Sequence, residues 1–430
     1  MDEDRGPVAR TDFKSDEGRQ TSLVGSTPTL FRQSPRSIGY SVDAPQSRLN
    51  TGGPVPQLPP VTQEHAARLD FLEGLRLHNY RRHVRGVLDA FERDLGELRP
   101  RTKASAGEHI KKQALYQFAA AIQHHAQVMG WATAADSLRD HADELDRLLA
   151  SPPANPIGRL MLDESLAMPG YYTENDEAGL DDIHLMPGGY WRESLVGPIY
   201  ERGGALYRTP WRVGYTASPP AALVEFAKGA PPARYRRILD VGCSFGGSTM
   251  AFRAAYPNAE EIVGLDLSAP ALRWAHISAE ERGLAITYEQ GDATKMKHDD
   301  SSFDLVTGFL LAHEVTAKVL DRILSEAYRV LRPGGHIRFL DLPPFSELAP
   351  EVAFLQSFDN DGNGEKFWNE FLSSDFKATL QRAGFINVTD GPLEYDEPNY
   401  SGTAALMRTG EFRRENRWVT QADKPEAQDG

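Results

Sequence analysis

Residues 237–247 read RILDVGCSFGG and decide the fold of the chain. Three of the first five residues, Ile238, Leu239 and Val241, are apolar, which is typical of a short strand that is buried on both faces of a parallel sheet. The glycines that follow allow a tight turn in which the backbone approaches a ligand closely, and a helix is predicted directly after them. A strand, a glycine-rich turn and a helix in this order predict the first unit of an open α/β sheet.

Strands and helices continue to alternate downstream of this unit, as they do in a doubly wound sheet. We predict an α/β fold with a Rossmann-like, seven-stranded sheet that ends in an antiparallel strand pair. The predicted strands cover residues 237–241, 261–266, 285–289, 303–309, 336–340, 386–393 and 404–409, and the predicted helices cover residues 247–255, 270–282, 318–331 and 375–383.

The chain divides into five predicted regions by composition and periodicity. The first is a leader rich in Ser, Thr, Pro and Gly, which buries too little apolar surface to fold. Three amphipathic helices follow, over residues 80–95, 115–129 and 131–149, and each needs a partner surface, so a homodimer through these helices is one prediction. The regions are residues 1–62 (leader), 63–150 (helical), 151–230 (connector and substrate cap), 231–410 (α/β domain, with a lid insertion at 342–372) and 411–430 (polar tail).

The overall composition narrows the class of partner. A formal net charge of −14 and an isoelectric point near 5.4 argue against bulk binding to nucleic acid or to an anionic membrane. Cys243 is the one cysteine, so the chain can form neither an internal disulfide nor a four-cysteine metal site. We find no secretory signal pattern and no apolar run of membrane-spanning length, and we therefore predict a cytoplasmic protein that acts on a small molecule.

Three aspartates lie at predicted strand ends, at equal intervals of 26 residues: Asp240, Asp266 and Asp292. The carboxyl ends of neighbouring parallel strands form one crevice, so the three side chains are predicted to face one ligand. Asp266 follows Gly246 by 20 residues, the position from which an acidic side chain binds the hydroxyls of an adenosine ribose. Each feature alone has a structural explanation: the glycines can form an ordinary tight turn, and a strand-end aspartate can cap a helix. Their joint spacing favours a nucleoside site.

Residues 234–409 resemble the class I S-adenosyl-L-methionine (SAM)-dependent methyltransferases, in particular the small-molecule branch that includes the quinone C-methyltransferases. Asp240, Gly242 and Gly246 match the first motif of this superfamily, in which Ser244 replaces the middle glycine. The resemblance implies SAM as the cofactor and methyl transfer to a small-molecule acceptor. Whether the methylated atom is oxygen, carbon, nitrogen or sulfur stays open.

The resemblance also implies roles for individual residues. The loop at Gly242 would contact the methionine part of SAM, Asp266 the ribose, Leu267 and Asp292 the adenine, and Phe309 would border the methyl donor. The full predicted cofactor set is Asp240, Gly242, Cys243, Gly246, Asp266, Leu267, Asp292, Ala293 and Phe309.

Candidate catalytic and substrate residues flank this set. His313 follows the fourth strand of the domain and is predicted as a general base, with a capping or hydrogen-bonded structural histidine as the alternative. His184 precedes the core in a segment predicted to fold over the cofactor, and is a second catalytic candidate. Tyr190 and Trp191 either wall the substrate pocket or form an aromatic packing strip. Asp341 either faces the substrate or caps the turn after its strand.

Three other hypotheses are weighed against this one. A nicotinamide (NAD(P)) oxidoreductase shares the fold, but its fingerprint requires glycine at position 244, where a pyrophosphate approaches the backbone. A non-catalytic binding protein with a methyltransferase fold does not need the three aspartates together. Residues 359–370 fit the pattern of a calcium loop, but Lys366 stands where an apolar residue belongs and no second copy exists, so we favour a lid there and predict no metal site.

Overall fold

The computed structural model describes residues 58–95, 101–151, 153–173, 180–203, 221–393 and 417–427 of the chain. Within these residues, eight strands form one sheet in the order β1-β4-β3-β2-β5-β6-β8-β7. All neighbours are parallel except β8, which is antiparallel to both β6 and β7. The strands are β1 (Arg159–Met161), β2 (Arg237–Val241), β3 (Glu261–Asp266), β4 (Thr287–Gln290), β5 (Phe303–Phe309), β6 (Leu331–Asp341), β7 (Ile386–Pro392) and β8 (Trp418–Asp423).

This topology confirms the predicted Rossmann-like α/β fold and adds one strand to it. The predicted bounds of β2, β3 and β5 agree with the structure. The extra strand, β1, pairs with β4 at the edge of the sheet and comes from the segment predicted as a connector. β6 begins at Leu331 instead of residue 336, because residues 332–335 form an irregularity in its pairing with β5.

The last strand corrects the prediction for the carboxyl-terminal region. The interpretation of residues 411–430 as a polar tail is wrong, because β8 lies between β6 and β7 inside the sheet. Only Val419 and Ala422 of this strand are both apolar and buried, so its short, half-polar sequence gives a weak strand signal. The strand predicted at 404–409 lies outside the described residues.

Helices cover both faces of the sheet and also the carboxyl ends of its strands. The amino-terminal helices, a 3₁₀ segment over Leu180–Leu185 and the insertion after β6 lie at these strand ends. The α-helices are α1 (Gln63–His78), α2 (Arg85–Leu95), α3 (Lys103–Ile110), α4 (Ala114–Asp136), α5 (Ala142–Ala150), α6 (Gly170–Thr173), α7 (Val196–Gly203), α8 (Ala221–Lys228), α9 (Gly247–Ala255), α10 (Ala269–Glu281), α11 (Ala317–Val330), α12 (Pro350–Gln356), α13 (Phe358–Asn363), α14 (Trp368–Leu372) and α15 (Phe376–Arg382).

The amino-terminal helices differ from the predicted three. A π-helical turn over Asn79–Val84 joins α1 to α2, and α4 runs through to Asp136. Phe118 and Met129 belong to the apolar pattern that predicts the second helix, but they are 55% and 53% exposed, so the predicted apolar face is not the buried face of α4. The buried face instead carries glutamines that donate hydrogen bonds, as Gln123 does to Asn363 (2.8 Å), and apolar periodicity does not reveal such a face. The predicted homodimer through these helices stays a prediction.

The insertion at residues 342–372 is helical and packed. Phe354 and Leu355 of α12 share an apolar cluster with Tyr80 and Phe91 of the amino-terminal helices. Residues 359–370, which fit the calcium-loop pattern, lie largely within α13 and α14 and do not form an open loop. The insertion, the amino-terminal helices and the 3₁₀ segment therefore meet above the carboxyl ends of the strands.

Candidate active site

One cavity of about 290 Å³ lies at the carboxyl ends of β2, β3, β4 and β5. Residues of the sheet line one part of it, and residues of the amino-terminal helices, the 3₁₀ segment and the insertion line the other. This arrangement is typical of ligand sites in open α/β sheets. The sheet side includes Gly242, Cys243, Asp266, Leu267, Ala293 and Phe309, and the opposite side includes Trp131, His184, Tyr190, Trp191, Glu365 and Trp368.

The glycine turn after β2 leaves space for a ligand at the cavity surface. Gly242 has a left-handed backbone (φ +64°), and an added Cβ would lie 2.6 Å from Leu311 Cδ1. The N–H groups of Gly242 and Cys243 both donate to the carbonyl oxygen of Leu265, at 2.8 and 3.1 Å, so β3 holds the turn in place. A side chain at 242 would strain the backbone and intrude beside the cavity, which explains why glycine is required.

Asp266 ends β3 with its carboxylate held by backbone groups. The N–H of Ser244 donates to Oδ2 and the N–H of Ser268 donates to Oδ1, both at 2.8 Å. Burial raises the pKa of this carboxyl, and the backbone hydrogen bonds oppose that rise. The side chain is therefore fixed in direction at the cavity wall, as a residue that binds two neighbouring hydroxyls must be.

Asp240 lies behind the glycine turn, fully buried. Its Oδ2 accepts hydrogen bonds from the hydroxyls of Ser248 and Thr249, both at 2.6 Å, whereas Oδ1 has no partner among the described residues. Burial is the main cause that raises the pKa of Asp240, to about 7. A buried acceptor without a donor is costly. Asp240 is not among the residues that line the cavity, so its predicted contact with the cofactor stays a prediction.

The structure separates Gly246 from the cavity. Gly246 is the N-cap residue of α9 and has a left-handed backbone (φ +76°). An added Cβ would lie 2.2 Å from the hydroxyl of Tyr288. The predicted cofactor role of Gly246 is therefore indirect, since it allows α9 to pack closely on β4.

We expect Gly246→Ala to destabilise the fold by about 2–4 kcal/mol, from a left-handed backbone and an overlap with Tyr288. Gly283→Ala is the matched control, because Gly283 also has positive φ (+66°) but an added Cβ meets nothing within 4 Å. It should cost only about 1 kcal/mol. Urea unfolding of both variants measures the difference, and equal losses would contradict the packing role.

Asp292 also lies differently from its predicted position. Its Oδ1 accepts from the Thr294 N–H (2.8 Å), the Thr294 hydroxyl (2.7 Å) and the Tyr171 hydroxyl (2.8 Å). Asp292 lines an adjoining hollow, while its neighbours Gly291 and Ala293 line the main cavity. In this arrangement the carboxylate fixes the turn after β4, and its predicted contact with adenine stays a prediction.

His313 and Asp341 form a buried pair at the opposite part of the cavity. His313 Nδ1 lies 2.6 Å from Asp341 Oδ1, and the imidazole ring packs edge-on against Trp368. Burial opposes protonation, but Asp341 and the nearby carboxylates outweigh it and raise the pKa of His313 to about 9. Only His313 of the pair lines the cavity.

Asp341 therefore does not face a substrate, and that prediction needs correction. Asp341 is only 4% exposed, and its carboxylate also accepts from the N–H groups of Ala312 and Leu342. The strand end turns the side chain toward the loop after β5, so Asp341 orients His313 instead.

His184 lies between two carboxylates at the cavity. Its Nδ1 is 2.6 Å from Glu365 Oε1, and its Nε2 is 3.2 Å from Glu314 Oε1. Burial opposes protonation of His184, but the two glutamates outweigh it and raise its pKa. His184 has a left-handed backbone (φ +59°), which is rare for residues other than glycine and is often found at functional sites.

Aromatic side chains form the remaining walls. Tyr190 packs edge-on against His184 and also contacts Tyr200, which stacks on Phe245 with ring centroids 4.3 Å apart. Trp191 also lines the cavity, with its indole nitrogen buried and without a hydrogen-bond partner among the described residues. Tyr190 and Trp191 thus occupy the predicted pocket wall, and Tyr190 belongs to an aromatic packing cluster as well.

Sequence reasoning missed the two glutamates of this site. Glu314 is adjacent to the predicted His313, but Glu365 lies in the insertion, far along the chain from His184. No local spacing indicates that His184, Glu314 and Glu365 meet, because their contact depends on how the insertion packs against the 3₁₀ segment.

Comparisons with known proteins identify a methyltransferase domain in the chain. Residues 238–335 match the family described as "Methyltransferase domain". A demethylmenaquinone methyltransferase of Thermus thermophilus is 36% identical over 112 residues, which cover 25% of this chain and 48% of that protein. An uncharacterized methyltransferase of Synechocystis is 31% identical over 156 residues, which cover 36% of this chain and 68% of that protein. The chain thus spans about half the length of the Thermus relative.

One solved structure similar to the chain is Haemonchus contortus phosphoethanolamine N-methyltransferase 2 in complex with SAM. The two chains are 19% identical, and the match covers 53% of this chain and 57% of the Haemonchus chain, with a TM-score of 0.37. The matched domain contains the glycine turn and Asp266, and the residues at this part of the cavity fit SAM as cofactor. The match to the methyltransferase domain and the similarity to the Synechocystis methyltransferase show that this chain belongs to the class I SAM-dependent methyltransferases.

Proposed function

We propose that this protein transfers the methyl group of SAM to a small, mainly apolar acceptor that carries a hydroxyl or enol oxygen. One observation carries the proposal: a single cavity joins the residues of the cofactor part to an aromatic wall and a histidine–carboxylate cluster. Donor and acceptor must lie in one water-poor space for direct transfer, because positioning supplies much of the rate in such a displacement.

The residues on the sheet side fit SAM. The turn at Gly242 would hold the methionine part, Asp266 the ribose hydroxyls, Leu267 and Ala293 the adenine, and Phe309 would lie beside the sulfonium. When bound, SAM supplies an electrophilic methyl group on a good leaving group. The protein's own residues bind the two reactants, orient them and exclude water.

The opposite side of the cavity favours a flat apolar acceptor. Trp131, Tyr190, Trp191 and Trp368 provide aromatic surface, and His313 is the adjacent group able to hold an acceptor oxygen. The Thermus relative is named for demethylmenaquinone, an acceptor with a quinone ring. We propose an acceptor of that general class, with His313 in contact with its oxygen and Asp341 as the residue that positions His313.

Methyl transfer can be tested with the full chain and SAM labelled in its methyl group. Quinols, phenols and amines of similar size are offered separately, and labelled product is measured after extraction. We expect label in an apolar quinol or phenol and S-adenosylhomocysteine (SAH) in equal amount. Binding of SAM without transfer to any acceptor class would contradict the proposal and favour a non-catalytic role.

The role of Asp341 is tested by Asp341→Asn. We expect kcat to fall 10- to 100-fold while the Kd for SAH and the KM for the acceptor change little, because the variant disturbs the orientation of His313 and touches no residue that lines the cofactor part of the cavity. Asp423→Asn is the matched control, since Asp423 Oδ1 holds His336 Nδ1 at 2.7 Å outside the cavity lining. Equal loss of kcat in both variants would assign Asp341 a merely structural role.

The comparisons do not favour a nicotinamide oxidoreductase. A thermal-shift measurement separates the two cofactors directly. We expect SAM or SAH to raise the melting temperature and NAD(P) to leave it unchanged. The opposite result would favour the oxidoreductase.

A further inference from the structure

Three side chains at the cavity can offer one ligand atom each to a single ion. The ligand atoms of His184, Glu314 and Glu365 lie within 4.8 Å of one another. The three residues come from the 3₁₀ segment, the loop after β5 and the insertion, so the cluster exists only in the folded chain. His184 Nε2 and Glu314 Oε1 are 3.2 Å apart. Neighbouring ligands of an ion that holds each at about 2.1 Å lie roughly 3.0–3.4 Å apart, so this separation suits a shared ion.

Glu365 supplies an independent sign of a missing partner. Its side chain is only 7% exposed and lines the cavity, and its Oε2 has no hydrogen-bond partner among the described residues. Gln356 Oε1 lines the same cavity and also lacks a donor within the described part of the chain. A buried carboxylate oxygen without a donor is costly, and a bound cation would relieve that cost.

The arrangement around the histidines resembles the surroundings of metal ligands. His184 Nδ1 contacts Glu365, and His313 Nδ1 contacts Asp341, both at 2.6 Å, while each Nε2 faces Glu314 Oε1, at 3.2 and 3.6 Å. Asp341 fixes the ring of His313 beside the cluster, as carboxylates next to metal sites commonly do for histidines.

We propose that His184, Glu314 and Glu365 form a divalent-cation site whose open positions face the acceptor. One imidazole nitrogen with two carboxylate oxygens suits Mn²⁺, Fe²⁺ or Zn²⁺ better than Mg²⁺ or Ca²⁺. The ion would bind the oxygen of the acceptor, a part of the proposal that rests on the proposed function. This site shares only Glu365 with the calcium-loop pattern of residues 359–370.

The direct test is titration of the full chain, purified with chelator, with Mn²⁺ followed by electron paramagnetic resonance and with Zn²⁺ followed by calorimetry. We expect one site of micromolar Kd. Glu365→Gln should weaken it at least 30-fold, while Glu281→Gln should leave it unchanged. Glu281 is the matched control, because its Oε2 is also buried without a partner but lies outside the cavity lining.

His184→Asn provides a second variant, because asparagine tolerates the left-handed backbone at this position. It should weaken Mn²⁺ at least 30-fold and leave the Kd for SAH within a few-fold, which shows that the fold is intact. Absence of a stoichiometric site below 1 mM, or equal Mn²⁺ affinity in all variants, would overturn the proposal. SAH binding is measured in the same samples: its absence from the wild type would contradict the methyltransferase function and leave the cation site standing.

Discussion

Replacing Asp266 with alanine is expected to weaken the binding of SAM and SAH by at least 100-fold. The carboxylate is fixed at the cavity wall by the N–H groups of Ser244 and Ser268, and in the proposed complex it accepts from both ribose hydroxyls. A hydrogen bond to a charged group contributes about 1.5–3 kcal/mol, so the loss of two corresponds to a factor of about 10²–10⁴. Isothermal titration of SAH into wild type and variant measures this effect.

Asp304→Asn is the matched control for that experiment. Asp304 also accepts two backbone hydrogen bonds, from the N–H groups of Arg236 and Arg237, both at 2.7 Å. However, it lies at the amino-terminal end of β5, away from the cavity. Both variants are expected to lose stability, and only Asp266→Ala should lose SAH. If Asp266→Ala binds SAH as the wild type does, the ribose assignment fails and with it the proposed position of the cofactor.

The strands that position Asp266 are also the part of the fold that the sequence predicts best. β2, β3 and β5 are short segments between turns that are rich in Ile, Leu, Val and Phe, a pattern that comes from burial on both faces of a parallel sheet. β8 escapes the same reasoning, because its sequence, Trp418–Asp423, is half polar and follows β7 only after a long stretch of chain. Its place in the sheet depends on pairing with β6, which no local pattern encodes.

The candidate site divides in the same way. Gly242 and Asp266 are predictable from local sequence. Gly242 lies in the turn directly after β2, and Asp266 is the last residue of β3. Asp341 is also a strand-end aspartate, but the structure turns it toward His313, since the loop after β5 brings that imidazole within 2.6 Å. Glu365 meets His184 only through the packing of helices from separate regions. The buried face of α4 carries polar residues, so a search for apolar periodicity does not predict that packing.

Replacing Asp240 with asparagine is expected to stabilise the ligand-free protein and to weaken SAM binding. Burial raises the pKa of Asp240 from 3.8 to about 7 in the folded state. The folded state thus keeps the proton to higher pH than the unfolded state does, so this group lowers stability progressively between about pH 4 and pH 7. Asparagine removes the buried charge, and the expected gain at pH 8 is about 2–4 kcal/mol.

The pH dependence distinguishes this charge effect from a simple change in packing. Urea unfolding at pH 5, 6, 7 and 8 should show that the advantage of Asp240→Asn grows up to pH 7 and then stays constant. Calorimetry at pH 8 should show at least 10-fold weaker SAH binding, because the unpaired Oδ1 behind the glycine turn no longer offers a negative charge to the α-ammonium group of SAH. A variant that is less stable than the wild type at pH 8 would show that the hydrogen bonds from Ser248 and Thr249 outweigh the cost of the buried charge. Stability gained together with affinity lost would identify Asp240 as a residue whose charge is kept for the ligand at the expense of the fold.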